Sequence, residues 1–181
     1  LIKTQDDITG FLCDEIRWCI DVTTRKKIDP SLLGRRVYAS GCGKGVMYTN
    51  MVELSSRHPV QSNVRVKFQD VIDCMHWLSN CSDLHSLTGG VHSAAASVKG
   101  NTPQFFIDDI GRHNAVDKVI GRLLLEKTDC ADILLLVTGR ISSELLHKAR
   151  RCGIPVIISR GAPTHQTILL AKEMEITVVG F

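Results

Sequence analysis

The sequence predicts an α/β protein, because strand-like and helix-like segments alternate over the second half of its 181 residues. The run DILLLV at 132–137 is apolar after its first residue, which is typical of a strand that is buried on both faces. The segments on either side of it, 113–127 and 142–152, carry apolar residues at helical spacing. Alternation of this kind predicts parallel strands that are connected by right-handed helical crossovers.

The composition agrees with a folded chain that has an aliphatic core, since 44% of the residues are hydrophobic and only 5% are aromatic. The length fits one domain, or one domain with a small subdomain. A net charge of +3 is too small to predict nucleic-acid binding. With no membrane-length apolar run and no signal peptide, we expect a cytoplasmic protein with no membrane partner. Because the chain begins with Leu1 and stops on a strand pattern at Phe181, we expect segments to be missing at both ends.

The first half of the chain has fewer regular segments. Residues 4–18 have apolar side chains at helical spacing and predict a helix. Residues 21–45 are basic and rich in glycine, which predicts an irregular segment. The alternating stretch VRVKF at 64–68 predicts a short strand, and residues 69–80 predict a second helix.

From residue 91 the pattern becomes regular. The apolar stretches 91–98 and 104–108 flank a Lys-Gly-Asn-Thr-Pro turn and predict a hairpin. Ser142 and Gly153 predict the two ends of one of the helices that follow. The remaining predicted elements are helices at 113–127, 142–152 and 164–174 and strands at 132–137, 154–159 and 176–181.

An arginine next to a glycine follows three of the predicted strands. These pairs are Gly111-Arg112, Gly139-Arg140 and Arg160-Gly161. The carboxyl ends of parallel strands meet at one edge of a sheet, where the N–H groups of helix N-termini point outward. Arginine presents a fork of donors that suits phosphate oxygens, and glycine lets a ligand approach the backbone closely. The sequence therefore predicts an anion-binding cleft at this edge.

A second interpretation stays open for these residues. An arginine in a loop is usually solvated, and Asp108 or Asp109 can simply form an ion pair with it. His113 either lines the cleft or is only a polar residue at the start of a helix. Asp117 and Lys118 are expected on the exposed face of that helix.

Cys42 is the candidate nucleophile, because it lies between glycines in SGCGKG with Lys44 after it and Arg35 and Arg36 before it. Cationic neighbours lower the pKa of a thiol, and glycines leave a loop mobile and uncrowded. These properties suit a nucleophile or a sulfur carrier, and the alternative is an unreactive cysteine in a turn. The other six cysteines are expected to be small core residues with free thiols, because the seven cysteines include no CxxC and form no disulfide pattern.

Cys74, His76, Cys81 and His85 lie close together in the sequence and raise the question of a metal site. Their spacing matches no common zinc pattern. No metal is therefore predicted.

Several longer segments resemble the formate dehydrogenase accessory sulfurtransferase family, of the FdhD type. They are TGGVHSAA at 88–95, DDIGRHNAVDKVIG at 108–121, the stretch from LLVTGR to RGAPT at 135–164, and ITVVGF at 176–181. They follow one another in the family's order over nearly the whole chain, and GRHNAVDK is the most specific of them.

The resemblance implies a fold and a function. The fold is a three-layer α/β/α core like that of cytidine deaminases, with a mixed sheet at 63–181, and a small N-terminal part at 1–62 that carries the mobile cysteine loop. The function is to take persulfide sulfur from a cysteine desulfurase. The sulfur then passes to the molybdenum (or tungsten) bis(molybdopterin guanine dinucleotide) cofactor of formate dehydrogenase. A homodimer is also expected.

The resemblance further implies roles for individual residues. Cys42 would carry the persulfide. The arginine-bearing edge would bind the guanine-dinucleotide phosphates of the cofactor. The residues expected there are Gly111, Arg112, His113, Gly139, Arg140, Arg160 and Phe181.

Two departures from the family pattern keep alternatives open. Gly45 stands where the family often has a second loop cysteine, so a two-cysteine mechanism is in doubt. The chain also stops at Phe181, the first residue of a segment that belongs to the family's cofactor site. The main alternative is a cofactor-binding chaperone that carries no sulfur.

Two enzyme classes are disfavoured. A nucleotide-dependent enzyme would need a phosphate-transfer motif, and none is present. Deamination would need H-x-E and PCxxC, but Ala94 stands two residues after His92 and no PCxxC occurs.

Overall fold

A five-stranded mixed sheet forms the centre of the fold. The computed structural model describes residues 5–27, 36–38, 46–48 and 59–181. The strands in the described residues are β1 (Ile8–Asp14), β2 (Cys19–Thr24), β3 (Arg36–Tyr38), β4 (Val46–Tyr48), β5 (His92–Val98), β6 (Phe106–Asp109), β7 (Ile133–Val137), β8 (Val156–Ser159) and β9 (Thr177–Gly180). The helices are α1 (Phe68–Asn80), α2 (Asp83–Thr88), α3 (Arg112–Leu125), α4 (Ser143–Cys152) and α5 (His165–Glu173).

The strand order in this sheet is β6-β5-β7-β8-β9. Strand β5 runs antiparallel to both of its neighbours, β6 and β7. Strands β7, β8 and β9 are parallel, with Leu135 opposite Ile157 and Ile157 opposite Val178. It follows that β6, β7, β8 and β9 all point the same way and that only β5 points the other way. The predicted hairpin and the predicted parallel units are therefore both confirmed.

Helices cover both faces of the sheet. On one face, α1 packs its buried side chains against Ala95, Leu134 and Ile158. On the other face, α3, α4 and α5 bury theirs against Ala94, Leu135 and other residues of the same face. The predicted three-layer α/β/α architecture with a mixed sheet is confirmed. All five residues of β7 are buried, as its unbroken apolar run predicts.

Local signals define the ends of α4. The Ser142 hydroxyl accepts a hydrogen bond from the N–H of Leu145, which satisfies one of the unpaired donors at the helix start. At the other end Gly153 adopts φ 75°, a left-handed conformation that glycine tolerates without strain. Both predicted ends are confirmed.

The helix predicted at 4–18 is wrong, because the middle of this segment, Ile8–Asp14, is one arm of a β-hairpin. Strand β1 pairs with β2 in antiparallel register, and Phe11 lies opposite Val22 and Cys13 opposite Ile20. Apolar spacing in so short a segment fits a helix and a strand equally well. Pairing with β2 makes this segment a strand. The spacing of residues within 4–18 contains no information on that pairing.

The strand predicted at 64–68 is also wrong. Residues 64–67 are not part of a strand and pair with none of the described strands, and helix α1 already begins at Phe68. Val64 and Val66 instead pack against the α1 side of the core. Helix α2 was not predicted, although its Ser82 cap and Gly89, at φ 60°, are typical end signals.

No helix in the described ranges is long and apolar enough to cross a membrane. The N–H of Val60 donates to the carbonyl of Met174 at 2.9 Å, so the chain joins the core shortly before residue 63. The division of the chain after residue 62 stays a prediction.

We expect Ile157→Ala to lower the free energy of unfolding by about 3 kcal/mol, through lost burial and a cavity at the centre of the sheet. Ile157 is fully buried, whereas Ile168 on α5 is 42% exposed. Ile168→Ala is therefore the matched control, with an expected change of roughly 0.5 kcal/mol or less. Urea unfolding followed by circular dichroism measures both. Equal losses in the two variants would contradict this account of the core.

Candidate functional site

The carboxyl ends of four strands lie along one edge of the sheet. Strands β6, β7, β8 and β9 point the same way, so Asp109, Val137, Ser159 and Gly180 end them at this edge. Helices α3, α4 and α5 start in the loops that follow. Three helix N-termini with their backbone N–H groups therefore meet here, and this favours negative charge.

The start of α3 differs from the other two starts. Ser142 and Thr164 cap α4 and α5 with their hydroxyls. Gly111, which has no side chain, stands at the cap position of α3. The first turn of α3 thus keeps backbone donors that no capping side chain occupies.

Glycines allow the loops of this edge to pack against one another. A Cβ on Gly139 would lie 2.9 Å from Cδ of Arg112. A Cβ on Gly161 would lie 2.9 Å from the backbone nitrogen of Arg140, and one on Gly180 would lie 2.6 Å from Cδ of Pro163. Contacts this short would force the neighbours apart, so the close spacing of the loops depends on these positions being glycine.

Ser159 ties two of the loops together. Its side chain is fully buried, and its hydroxyl donates to the carbonyl of Gly139 at 2.6 Å. The same oxygen accepts a hydrogen bond from the N–H of Gly161 at 2.8 Å. This role was not predicted from the sequence, although a serine at the end of an apolar strand is a usable signal.

The three arginines of the Arg–Gly pairs lie at this edge, in two environments. Arg140 and Arg160 are exposed. Arg112 is half-buried, and its Nε atom is buried without a hydrogen-bond partner among the described residues. An unsatisfied buried donor on a cation is costly in a folded protein, and an anionic oxygen at this point would satisfy it.

The neighbouring carboxylates bond to other groups rather than to Arg112. Asp108 accepts 2.6 Å hydrogen bonds from the hydroxyls of Ser82 and Ser93. Asp109 bonds to the start and the second turn of α3 instead. Its partners are Lys118 at 2.6 Å, the N–H of Gly111 at 2.8 Å and Asn114 at 3.1 Å.

The pKa of the Asp109 carboxyl is held below its usual range. Burial alone would raise that pKa, but the hydrogen bonds from Lys118, Gly111 and Asn114 together outweigh burial. Asp109 is thus a charged residue that anchors the first turn of α3. It leaves the positive charge of Arg112 available for a ligand.

His113 lies in the first turn of α3, and its side chain contacts the start of α4. Its Nε2 atom is 3.2 Å from the hydroxyl of Ser142 and 3.6 Å from a carboxylate oxygen of Glu144. Burial lowers the pKa of His113, and Arg112 and Lys148 lower it further, against the opposite effect of Glu144. Glu144 is itself buried and was not singled out from the sequence.

His92 is a second histidine of this edge, and it was not predicted as a site residue. It begins β5, directly opposite Asp109 in the ladder. A Cβ on Gly139 would lie 3.4 Å from its Nδ1 atom, so His92 and Arg112 both lie beside this glycine. Burial lowers the pKa of His92, and the positive charge of Arg112 lowers it further.

The predicted cleft residues therefore occupy one edge of the sheet. Gly111, Gly139, Arg140 and Arg160 lie in its loops, and Arg112 and His113 lie in the first turn of α3, as the expected topology requires. Phe181 follows β9, and its N–H donates to the carbonyl of Ser159 at 3.2 Å. Cys42 and the glycines beside it lie outside the described residues. As expected, Asp117 and Lys118 are exposed.

The described cysteines differ from the prediction in two cases, Cys13 and Cys19. Cys74 is buried, and Cys81, Cys130 and Cys152 are half-buried and pack against the core. Cys19 is half-buried and Cys13 is exposed, and both lie on the β1–β2 hairpin rather than in the core clusters. Burial raises the pKa values of Cys74 and Cys130, and it raises those of Cys81 and Cys152 to about 11. At neutral pH these four thiols stay protonated and are poor nucleophiles.

The cysteines and histidines at 74–85 do not form a metal centre. No group of three potential ligands comes together in the part of the chain that the structure describes. The thiol of Cys74 lies 3.5 Å from the Ser97 hydroxyl, and the thiol of Cys81 lies 3.2 Å from the Leu78 carbonyl. Both thiols therefore have local protein partners.

Comparison with known proteins gives consistent matches over the whole chain. The model of the FdhD/NarQ family matches residues 1–181. A Bacillus pumilus protein named sulfur carrier protein FdhD is 34% identical over an alignment of 185 positions, which covers 100% of this chain and 70% of that protein. A Staphylococcus aureus protein of the same name is 35% identical, over 99% of this chain and 68% of that protein.

A solved structure shows the same fold. It is that of a Desulfotalea psychrophila protein assigned as a formate dehydrogenase accessory protein, with a TM-score of 0.76 and 27% identity. The match covers 99% of this chain and 66% of that one. The chain thus spans about two thirds of the length of the proteins that it matches.

We expect Gly161→Ala to lower the free energy of unfolding by about 1–3 kcal/mol, because the added methyl group would collide with the Arg140 backbone. Gly121 in α3 has open space around it, so Gly121→Ala is the matched control. Alanine there should stabilise the helix by about 0.5–1 kcal/mol. Urea unfolding measures both changes. If Gly161→Ala were as stable as the parent protein, the loops would not be packed as closely as described.

Proposed function

The chain belongs to the FdhD/NarQ family, and we propose that it is a sulfur carrier that serves formate dehydrogenase. Two relatives that it matches over 99–100% of its length are named sulfur carrier proteins. The matching solved structure is that of a protein assigned to formate dehydrogenase as an accessory protein. These names support sulfur transfer in general.

Cys42 is the proposed carrier of the sulfur. Its thiolate would attack the terminal sulfur of a persulfide on a cysteine desulfurase, which forms the Cys42 persulfide and releases the donor's thiolate. The basic and glycine-rich surroundings of Cys42 in the sequence favour a thiolate. The raised pKa values of Cys74, Cys81, Cys130 and Cys152 argue against those four as carriers.

The observation that carries the proposal for the acceptor is the cationic edge of the sheet. Three arginines and three helix N-termini meet there, and the buried Nε atom of Arg112 has no partner among the described residues. Such a site suits a ligand with several phosphate oxygens. We propose that it binds the molybdenum bis(molybdopterin guanine dinucleotide) cofactor as a substrate, through the phosphates of its guanine dinucleotides.

Each cleft residue has a distinct proposed part. Arg112 would bind phosphate within the cleft, and the exposed Arg140 and Arg160 would bind it at the rim. Gly111 and Gly139 would let phosphate approach the backbone closely. His113 would line the cleft beside the start of α4, and Phe181 would lie at its β9 end.

A chaperone that binds the cofactor without carrying sulfur is the alternative. Gly45 favours it, because a disulfide within this loop cannot form without a second cysteine. A single thiol is sufficient to hold a persulfide, so the carrier remains our proposal. As further partners we propose the cysteine desulfurase, formate dehydrogenase and a second copy of this chain in a homodimer.

Incubation with a cysteine desulfurase and cysteine should add the mass of one or more sulfur atoms to the protein, and Cys42→Ser should abolish the gain. Intact-mass spectrometry before and after reduction measures it. Cys13→Ser is the matched control, because Cys13 is an exposed thiol outside the proposed loop. A gain that persists in Cys42→Ser would show that another cysteine carries the sulfur. No gain in the parent protein would favour the chaperone.

Diguanosine diphosphate, two guanosines joined through a pyrophosphate, should bind the edge. Arg140→Gln and Arg160→Gln should each weaken binding about tenfold, since a charge-assisted hydrogen bond contributes about 1.5 kcal/mol or more. Arg151→Gln is the control, because Arg151 is exposed near the end of α4, away from the cleft. Isothermal titration calorimetry gives the dissociation constants. Equal affinities in all the variants would place the ligand elsewhere.

A further inference from the structure

Two histidines flank Arg112 at the proposed phosphate site, and they come from different elements. His92 begins β5, and His113 follows Arg112 in the first turn of α3. His92 and Arg112 both approach Gly139, because a Cβ added to that glycine would lie 3.4 Å from Nδ1 of His92 and 2.9 Å from Cδ of Arg112. The positive charge of Arg112 acts on both imidazoles. The guanidinium and the two rings therefore form one electrostatic cluster.

We propose that His92, Arg112 and His113 form a proton-linked anion site, in which a phosphate-bearing ligand binds Arg112 and the flanking histidines take up protons from solvent. His92 is thereby assigned as a ligand-binding residue of the cleft. The inference rests on the proposed function, because it concerns the same edge of the sheet. It adds a residue and a pH dependence that phosphate binding by arginines alone does not require.

In the ligand-free state both histidines are held away from the charged form. Burial, followed by the charge of Arg112, keeps the pKa of His92 below its usual value, and His85 acts in the same direction. Burial is also the main cause of the lowered pKa of His113. Near neutral pH both rings are therefore mainly neutral, and Arg112 is a permanent positive charge that acts on both.

An anion reverses the electrostatic effect of the guanidinium. A phosphate next to Arg112 offsets the guanidinium charge and adds negative charge close to both rings, which favours the imidazolium forms. The pKa of each histidine then rises on binding, so each ring takes up part of a proton. By linkage, affinity must increase as the pH falls through this range.

Other charged groups face the two rings and set the size of the effect. His92 faces Arg112 on α3, His85 on α2 and Asp109 on β6. His113 faces further groups on α3 and α4, which are Arg112, Asp117, Glu144 and Lys148. Asp117 and Glu144 already favour protonation of His113 without a ligand. The larger change on binding is therefore expected at His92, which has no comparable carboxylate among the charges that shift its pKa.

Calorimetric titration with diguanosine diphosphate tests the proposal directly. Neither phosphate of this probe is terminal, so neither has the second ionisation at about pH 6 of a phosphate monoester. The charge of the probe is therefore constant between about pH 5.5 and about pH 8, and the pH dependence reports the protein. Affinity should rise as the pH is lowered, by at most about tenfold per pH unit for each proton taken up. Titrations are repeated in buffers with different ionisation enthalpies. The change of the observed binding enthalpy with buffer gives the number of protons taken up.

His92→Gln should remove most of the proton uptake, and His113→Gln should remove a smaller part. Arg112→Gln should weaken binding at every pH. His76→Gln is the matched control, because His76 is an exposed histidine on α1 and should leave both affinity and uptake unchanged. Unaltered uptake in both His92→Gln and His113→Gln would overturn the proposal, although phosphate binding by the arginines would stand. No binding at any pH would overturn the proposed cleft itself.

A ligand-free measurement keeps the proposal testable if a variant binds poorly. The ring signals of His92 and His113 can be titrated by nuclear magnetic resonance in the parent protein and in Arg112→Gln. Removal of the guanidinium should raise both histidine pKa values, since its charge is one cause of their depression. Unchanged values in Arg112→Gln would show that the three residues are not one cluster and would also overturn the proposal.

Discussion

The direction of β5 is the constraint on which the rest of the structure depends. Because β5 runs antiparallel to both β6 and β7, the hairpin partner β6 points the same way as the three parallel strands. The loop after β6 therefore opens at the same edge as the loops after β7, β8 and β9. Helices α3, α4 and α5 all start at that edge, and Arg112, Arg140 and Arg160 lie there together.

Close backbone packing gives this edge its shape. Hydrogen bonds hold the nearby carboxylates away from Arg112. Glycines at 139, 161 and 180 allow the loops to approach, and the buried Ser159 hydroxyl joins two of them. The neighbouring carboxylates, Asp108 and Asp109, bond to serines and to α3. Neither carboxylate therefore pairs with Arg112, and the guanidinium can bind an anion.

Most features that are determined by residues close together in the chain were predicted correctly, and several that depend on distant partners were not. The helices and strands after residue 91 were predicted because their apolar periodicity is long and one helix carries Ser142 and Gly153 at its ends. The segment 4–18 was predicted as a helix because its apolar spacing is short and ambiguous, and pairing with β2 decided its structure. His92, Ser159 and Glu144 were missed, because each is a lone polar residue whose importance depends on partners at least 20 residues away, such as Gly139.

The amino-acid sequence was enough to establish the α/β class, the order of the elements after residue 91 and the arginines and glycines that follow successive strands. These features depend on residue type and on the spacing of near neighbours, and both can be read from the amino-acid sequence. Three further facts came from the folded structure alone: Arg112 has a buried donor without a partner among the described residues, Asp109 bonds to Lys118, and His92 lies beside Gly139. Such facts depend on the direction of β5 and on contacts between distant segments, and no local pattern encodes them.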